Sequence, residues 1–141
     1  MSDAKVFVDS NILIYAHDGD AGVKYTRAGQ CLQTLWSEGT GCLSMQVLQE
    51  FFVNATQKLR VPLPRSRARE VIRRYGEWDP IRPDIEMMLR ATDLAERRKL
   101  SFWDALIVVA ALESGATTLY SEDFSSGHTI EGLKVVNPLV G

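Results

Sequence analysis

The chain holds only two cysteines, Cys31 and Cys42, and two histidines, His17 and His128, in 141 residues. Neither pair has the close spacing of a zinc site, and two distant thiols do not make a disulfide framework. The cysteines read as reduced, buried small hydrophobes, and no zinc site is expected. No apolar run approaches the roughly 18 residues that a membrane span needs, and no basic-plus-apolar leader opens the chain. The expectation is a cytoplasmic protein without a membrane partner. The formal net charge is only −2, so no global basic field announces nucleic acid. Internal repeats and low-complexity segments are missing as well, as is any Ser–His or Cys–His arrangement that would supply a side-chain nucleophile.

What is present is the composition of a globular domain, 45% apolar and 24% charged. The length fits a single domain over 1–141 that buries roughly 68% of its unfolded surface. The run Val6-Phe7-Val8 reads as a strand buried on both faces, and Asp9-Ser10-Asn11 follows at once, where the chain turns into a helix over 11–17. Open parallel sheets bind their ligands beyond such strand ends. Asp9, with Asn11 two residues on, is therefore a candidate metal ligand; its plainer role is to cap the next helix.

Helical spacing of Ala28, Cys31, Leu32 and Leu35 marks a helix over 23–36. A short strand over 41–44 leads through Ser44, a good N-cap, into a helix whose Val47, Leu48, Phe51, Phe52, Ala55 and Leu59 repeat near 3.6 residues. Glu50 lies within it. After Pro62 and Pro64 comes a basic helix over 66–77, then a short strand over 78–82 and a helix from Asp84 to about Lys99 with Ile85, Met88, Leu89, Thr92, Leu94 and Ala95 on its apolar side. Ser101-Phe102-Trp103-Asp104 opens a helix apolar all round, hence buried, which ends at Gly115. Strands over 117–120 and 133–136 follow, with a loop over 125–128 between them. Alternating strands and helices predict a three-layer α/β/α fold on a central, mainly parallel sheet of four to five strands.

In such a sheet the strand carboxyl ends and the N-termini of the following helices share one edge. Asp9, Glu50, Asp104 and Asp123 can converge there. Each has a plainer alternative: Ser101-x-x-Asp104 is a capping-box pattern, Glu50 can be a boundary acid, and Glu122 and Asp123 can be loop acids. Converging carboxylates repel, and a hard divalent cation removes that penalty. All-oxygen ligands suit Mg2+ or Mn2+, and the chemistry is then a metal-activated water attacking a phosphodiester.

The segments Val6–Asn11, Leu48–Phe52, Ser101–Ala105 and Leu119–Phe124, with the closing Ile130–Pro138, together resemble a PIN domain, and look most like the VapC-type toxins of bacterial toxin–antitoxin pairs. That resemblance implies a Mg2+- or Mn2+-dependent endoribonuclease, a homodimer, inhibited by a small antitoxin protein. It carries the acidic-ligand roles to Asp9, Glu50 and Asp104, the fourth acid to Asp123, and site-lining roles to Asn11, Ser101 and Ser121. Many relatives have a further acid before the last aromatic; here Ser121-Glu122-Asp123-Phe124 is shorter, so Glu122 competes with Asp123 for the fourth position.

Lys58, Arg60, Arg65, Arg67, Arg69, Arg73 and Arg74 crowd one segment opposed only by Glu70, and Arg97-Arg98-Lys99 forms a second small cluster. The first is either a solvated helix face or a surface, through Arg65, Arg69 and Arg73, for RNA phosphates or the antitoxin. Two other functions fit less of the pattern: a receiver-type phosphoacceptor domain, and a non-catalytic RNA-binding scaffold on the same fold.

Overall fold

The apolar opening run forms β1, Lys5–Val8, in which Phe7 and Val8 are fully buried. The computed structural model describes residues 4–124 and 127–140. Asp9 ends the strand and caps α1, Ser10–Tyr15. A single 3-10 turn capped by Asp18 leads into α2, Val23–Glu38, which buries Ala28, Leu32 and Leu35 and stops at Gly39 in the left-handed conformation, where a side chain would be strained. β2, Gly41–Cys42, is followed by α3, Met45–Gln57, begun by the Ser44 hydroxyl accepting from the Val47 N–H.

The basic segment forms α4, Arg65–Tyr75, and Asp84 caps α5, Ile85–Arg98, through the Met87 N–H. Ser101 caps α6, Phe102–Glu113, whose residues from Ala105 to Ala111 are all buried, as a helix without a polar face requires. β3, Ala116–Tyr120, β4, Thr129–Ile130, and β5, Leu133–Val136, complete the sheet. Its order is β2-β1-β3-β5-β4, parallel throughout except for the β4–β5 pair. Two helical groups cover it: α1 packs on α2 and α3, and α3 on α4, while α5 packs on α6 and α6 on β3 and β5. This is the expected α/β arrangement around a mainly parallel sheet.

Four local expectations need correction. The strand expected over 78–82 is a 3-10 turn ending at Trp78 and one bridge, Ile81 to Ser44. Pro80 and Pro83 flank Ile81 and have no N–H to extend a ladder. β4 was not expected. It closes on β5 through Glu131 and Gly132, both at positive φ, a two-residue hairpin turn whose usual Asn-Gly signature Glu131 hides. Ser125 and Ser126 of the expected loop lie outside the described residues. α5 buries Met87, Ala91 and Leu94, leaving Ile85 67% and Leu89 58% exposed. Two apolar stripes share this helix, and periodicity alone does not say which one meets α6. Cys42 is buried but Cys31 only half-buried; both are free thiols, and burial pushes the Cys31 thiol up to about 11.

Candidate active site

Parallel pairing sets Val8 of β1 beside Tyr120 of β3, and the Asp9 N–H donates to the Tyr120 carbonyl at 3.0 Å. The residues just past the two strand ends are thereby brought together. Ser121 Oγ donates to Asp9 Oδ2 at 2.7 Å, and the Ser10 N–H donates to Asp9 Oδ1 at 2.7 Å. Asp9 is 4% exposed and Ser121 fully buried. Asn11 spans the group: its Nδ2 lies 3.1 Å from Asp123 Oδ2 and 3.3 Å from Ser121 Oγ, with a longer 3.4 Å approach to Asp9 Oδ2. Its Oδ1 accepts from the Glu122 N–H, and Ser121 Oγ accepts from the Asp123 N–H.

Glu50 reaches this group from α3. Its Oε1 accepts from Ser10 Oγ at 3.0 Å and its Oε2 from Gln46 Nε2 at 3.2 Å. The same Gln46 amide donates to the Trp103 carbonyl, tying α3 to the first turn of α6, where Asp104 sits. The Ser101 hydroxyl accepts from the Asp104 N–H at 3.1 Å.

Electrostatics join the four acids. Burial pushes the Asp9 carboxyl up to about 6 against the hydrogen bonds from Ser121 and Ser10, and the charges of Asp123 and Glu50 push the same way. Partial burial also raises Asp104, eased by the Ser101 hydroxyl and reinforced by Asp123. Among the described residues no three carboxylate, imidazole or thiol groups stand close enough together to grip one ion. The Ser10 and Ser121 hydroxyls and the Asn11 amide stand between the acids and hold them by hydrogen bonds. The donor set is nonetheless all oxygen and mutually repulsive, which suits a hard divalent cation in kind.

Glu122 is differently placed. It accepts from Tyr15 Oη at 2.7 Å and pairs with Lys24 Nζ at 2.5 Å. Burial alone would raise its carboxyl, but the Lys24 and Tyr15 hydrogen bonds outweigh that and hold it below the usual range. A family model described as PIN domain matches residues 6–125.

The chain belongs to the PIN domain family.

The PIN domain is similar in structure to a chain of the VapBC2 complex of Rickettsia felis bound to a DNA fragment from its promoter. The TM-score is 0.63 at 18% identity, over 92% of this chain and 96% of that one, a likeness of fold. No curated protein matches the sequence significantly. Among the described residues, no helix of the PIN domain is long and apolar enough to cross a membrane.

Of the residues expected at the site, Asp9, Asn11, Ser121 and Asp123 are linked by direct side-chain hydrogen bonds, and Glu50 joins through Ser10. Asp104 joins by its coupling to Asp123, Ser101 is its helix cap, and Glu122 faces Tyr15 and Lys24. Arg65, Arg69 and Arg73 are exposed on α4; the arginines of that helix that line a cavity, of about 420 Å3 with His17, Trp36 and Tyr75, are Arg67 and Arg74. Ser10, Tyr15, Lys24 and Gln46 were not expected to take part. Their partners lie 40, 107, 98 and, for Gln46 to Trp103, 57 positions away, and no local pattern announces such pairs.

Proposed function

We propose that this PIN domain, taken as one unit over 1–141, is a metal-dependent endoribonuclease and the toxin of a toxin–antitoxin pair. The observation that carries the proposal is the convergence, in a chain of the PIN family, of the buried Asp9 with Asp123 through Ser121 and Asn11 and with Glu50 through Ser10. A purely structural acid gains nothing from like-charged neighbours, whereas a cation-binding acid does.

Asp9, Glu50, Asp104 and Asp123 are the residues that would hold Mg2+ or Mn2+. When bound, such an ion supplies an activated water and neutralises charge on the phosphate being cut. The chain's own part is to hold its acids in place. Ser121 and the Ser10 N–H fix both Asp9 oxygens, Ser10 and Gln46 fix both Glu50 oxygens, and Asn11 steadies Asp123. Lys24 and Tyr15 engage both Glu122 oxygens, which favours Asp123 as the fourth acid. The structural neighbour is a VapBC complex, which supports an antitoxin partner here; a basic side chain of that partner laid on the carboxylates would mimic the cation. A homodimer and a cytoplasmic setting complete the reading. Membership of the PIN family removes the ground for the receiver-type alternative.

The test is RNA cleavage by purified protein with Mg2+ or Mn2+, beside an EDTA control and Asp9→Asn and Asp104→Asn variants. Metal-dependent cleavage that both variants abolish is expected. An intact RNA panel, with RNA binding unaffected by Asp104→Asn, would favour the scaffold.

A further inference from the structure

A cavity of about 320 Å3 adjoins the acids, lined by Asp104 and Asp123 together with Arg98, Leu100, Phe124, His128, Thr129 and Ile130. It lies at the lower end of the range for small-ligand pockets, roughly 300–1,000 Å3. Its walls are fixed by the turn between α5 and α6. Lys99 takes a left-handed conformation at φ 54°, and the Lys99 and Leu100 N–H groups both donate to the Ala95 carbonyl. The reversal there brings Arg98, Leu100 and Asp104 to one space. On the other side the His128 carbonyl is fixed by the Val135 N–H of β5 at 2.9 Å.

The chemistry of the lining is divided. Two carboxylates repel a phosphodiester, so a strand of RNA is retained beside them only if cations stand next to them. Arg98 is placed for that. Glu131 pairs with Arg97 at 2.8 Å and with Arg98 at the longer distance of 3.6 Å; among the described residues that is the one ion pair of the five-donor Arg98 fork, which has further N–H groups to offer a phosphate. Leu100, Phe124 and Ile130 give the same recess apolar lining. A cation beside apolar lining matches one nucleotide, phosphate on the first and base or ribose on the second. A base reaches such a recess only when unpaired and unstacked. Arg65, Arg69 and Arg73 do not line this cavity.

We propose that this cavity is a subsite for one nucleotide of single-stranded RNA next to the bond to be cut, with Arg98 and His128 contacting its backbone phosphate and Leu100, Phe124 and Ile130 receiving its base or ribose. The proposal rests on the ribonuclease reading. Arg98 and His128 are positioning residues for substrate, distinct from the acids.

The experiment pairs binding with turnover. Binding of a fluorescein-labelled single-stranded RNA to the full chain in EDTA is followed by anisotropy over a salt series, for wild type, Arg98→Gln, His128→Ala and the charge control Arg90→Gln, which loses a cation paired with Glu113 instead. Arg98→Gln should weaken binding about tenfold and lower the salt slope by about 1, while Arg90→Gln changes neither. With Mn2+ present, Arg98→Gln should raise KM about tenfold and leave kcat within about twofold. Circular dichroism checks that the variants fold. A wild type that cleaves RNA, with Arg98→Gln and His128→Ala binding and cleaving alike, overturns the subsite and leaves the nuclease reading standing. A wild type that neither binds nor cleaves overturns both. Equal competition by duplex RNA overturns the single-strand assignment.

Discussion

Ser121 and Asp9, 112 positions apart, meet through a buried 2.7 Å hydrogen bond in which the hydroxyl donates to the carboxylate. The same hydroxyl oxygen accepts from the Asp123 N–H and from Asn11 Nδ2. Ser121→Ala removes all three contacts from a fully buried position. It should destabilise the fold by about 1–3 kcal/mol and push the Asp9 carboxyl further up. Urea denaturation checks the first effect; a loss under 0.5 kcal/mol, on the order of a surface change, would show the hydroxyl is dispensable.

The raised Asp9 carboxyl makes stability depend on pH. It titrates near 6 in the folded, metal-free chain, against about 4 when unfolded. The folded state therefore binds the proton more tightly. The stabilisation is fully present below about pH 4 and is lost as pH rises through about 6, on the order of 3 kcal/mol from this group. In EDTA, Asp9→Asn should be more stable than wild type at pH 7.5 and should flatten the curve between pH 4 and pH 7. Equal or lower stability of the variant at pH 7.5 would show that the carboxylate is not a burden there.

Glu122 and Asp123 are adjacent but differently committed, one held by Lys24 and Tyr15, the other by Asn11. Mn2+ should raise the thermal midpoint of the wild type, as a ligand of the folded state does. Asp123→Asn should abolish most of that shift and Glu122→Gln should keep it. The reverse result assigns the fourth position to Glu122.

Gly41 lies against the indole of Trp78, itself packed on Trp36 and Tyr75 with ring centroids 5.0 and 4.8 Å away. An added Cβ would overlap that ring, and the aromatic cluster leaves it little room to shift. Gly41→Ala should cost about 1–3 kcal/mol by overpacking. A thermal midpoint unchanged from wild type would mean the Trp78 ring moves freely.

Much of this was legible along the chain because its causes are local. A run such as Val6-Phe7-Val8 makes a buried strand whatever follows it, and Ser44, Asp84 and Ser101 cap their helices through groups three residues on. α6 has no polar face and must be interior. The four acids were visible for a related reason, each standing where a strand ends or within a helix that the sequence itself outlines.

Tertiary structure decided what periodicity leaves degenerate. Two apolar stripes on α5 have the same spacing, and only contact with α6 selects Met87, Ala91 and Leu94. The register that sets Val8 beside Tyr120 brings Ser121 to Asp9, and a shift of one residue would part them. Glu122 and Asp123 are neighbouring acids in the chain, and Lys24 and Tyr15, 98 and 107 positions away, draw the first of them aside. The sequence by itself determined most of the elements and their caps, through interactions spanning a few residues. The pairing of distant residues into one site was decided by sheet register and helix packing, because those depend on surfaces that exist only once the elements have met.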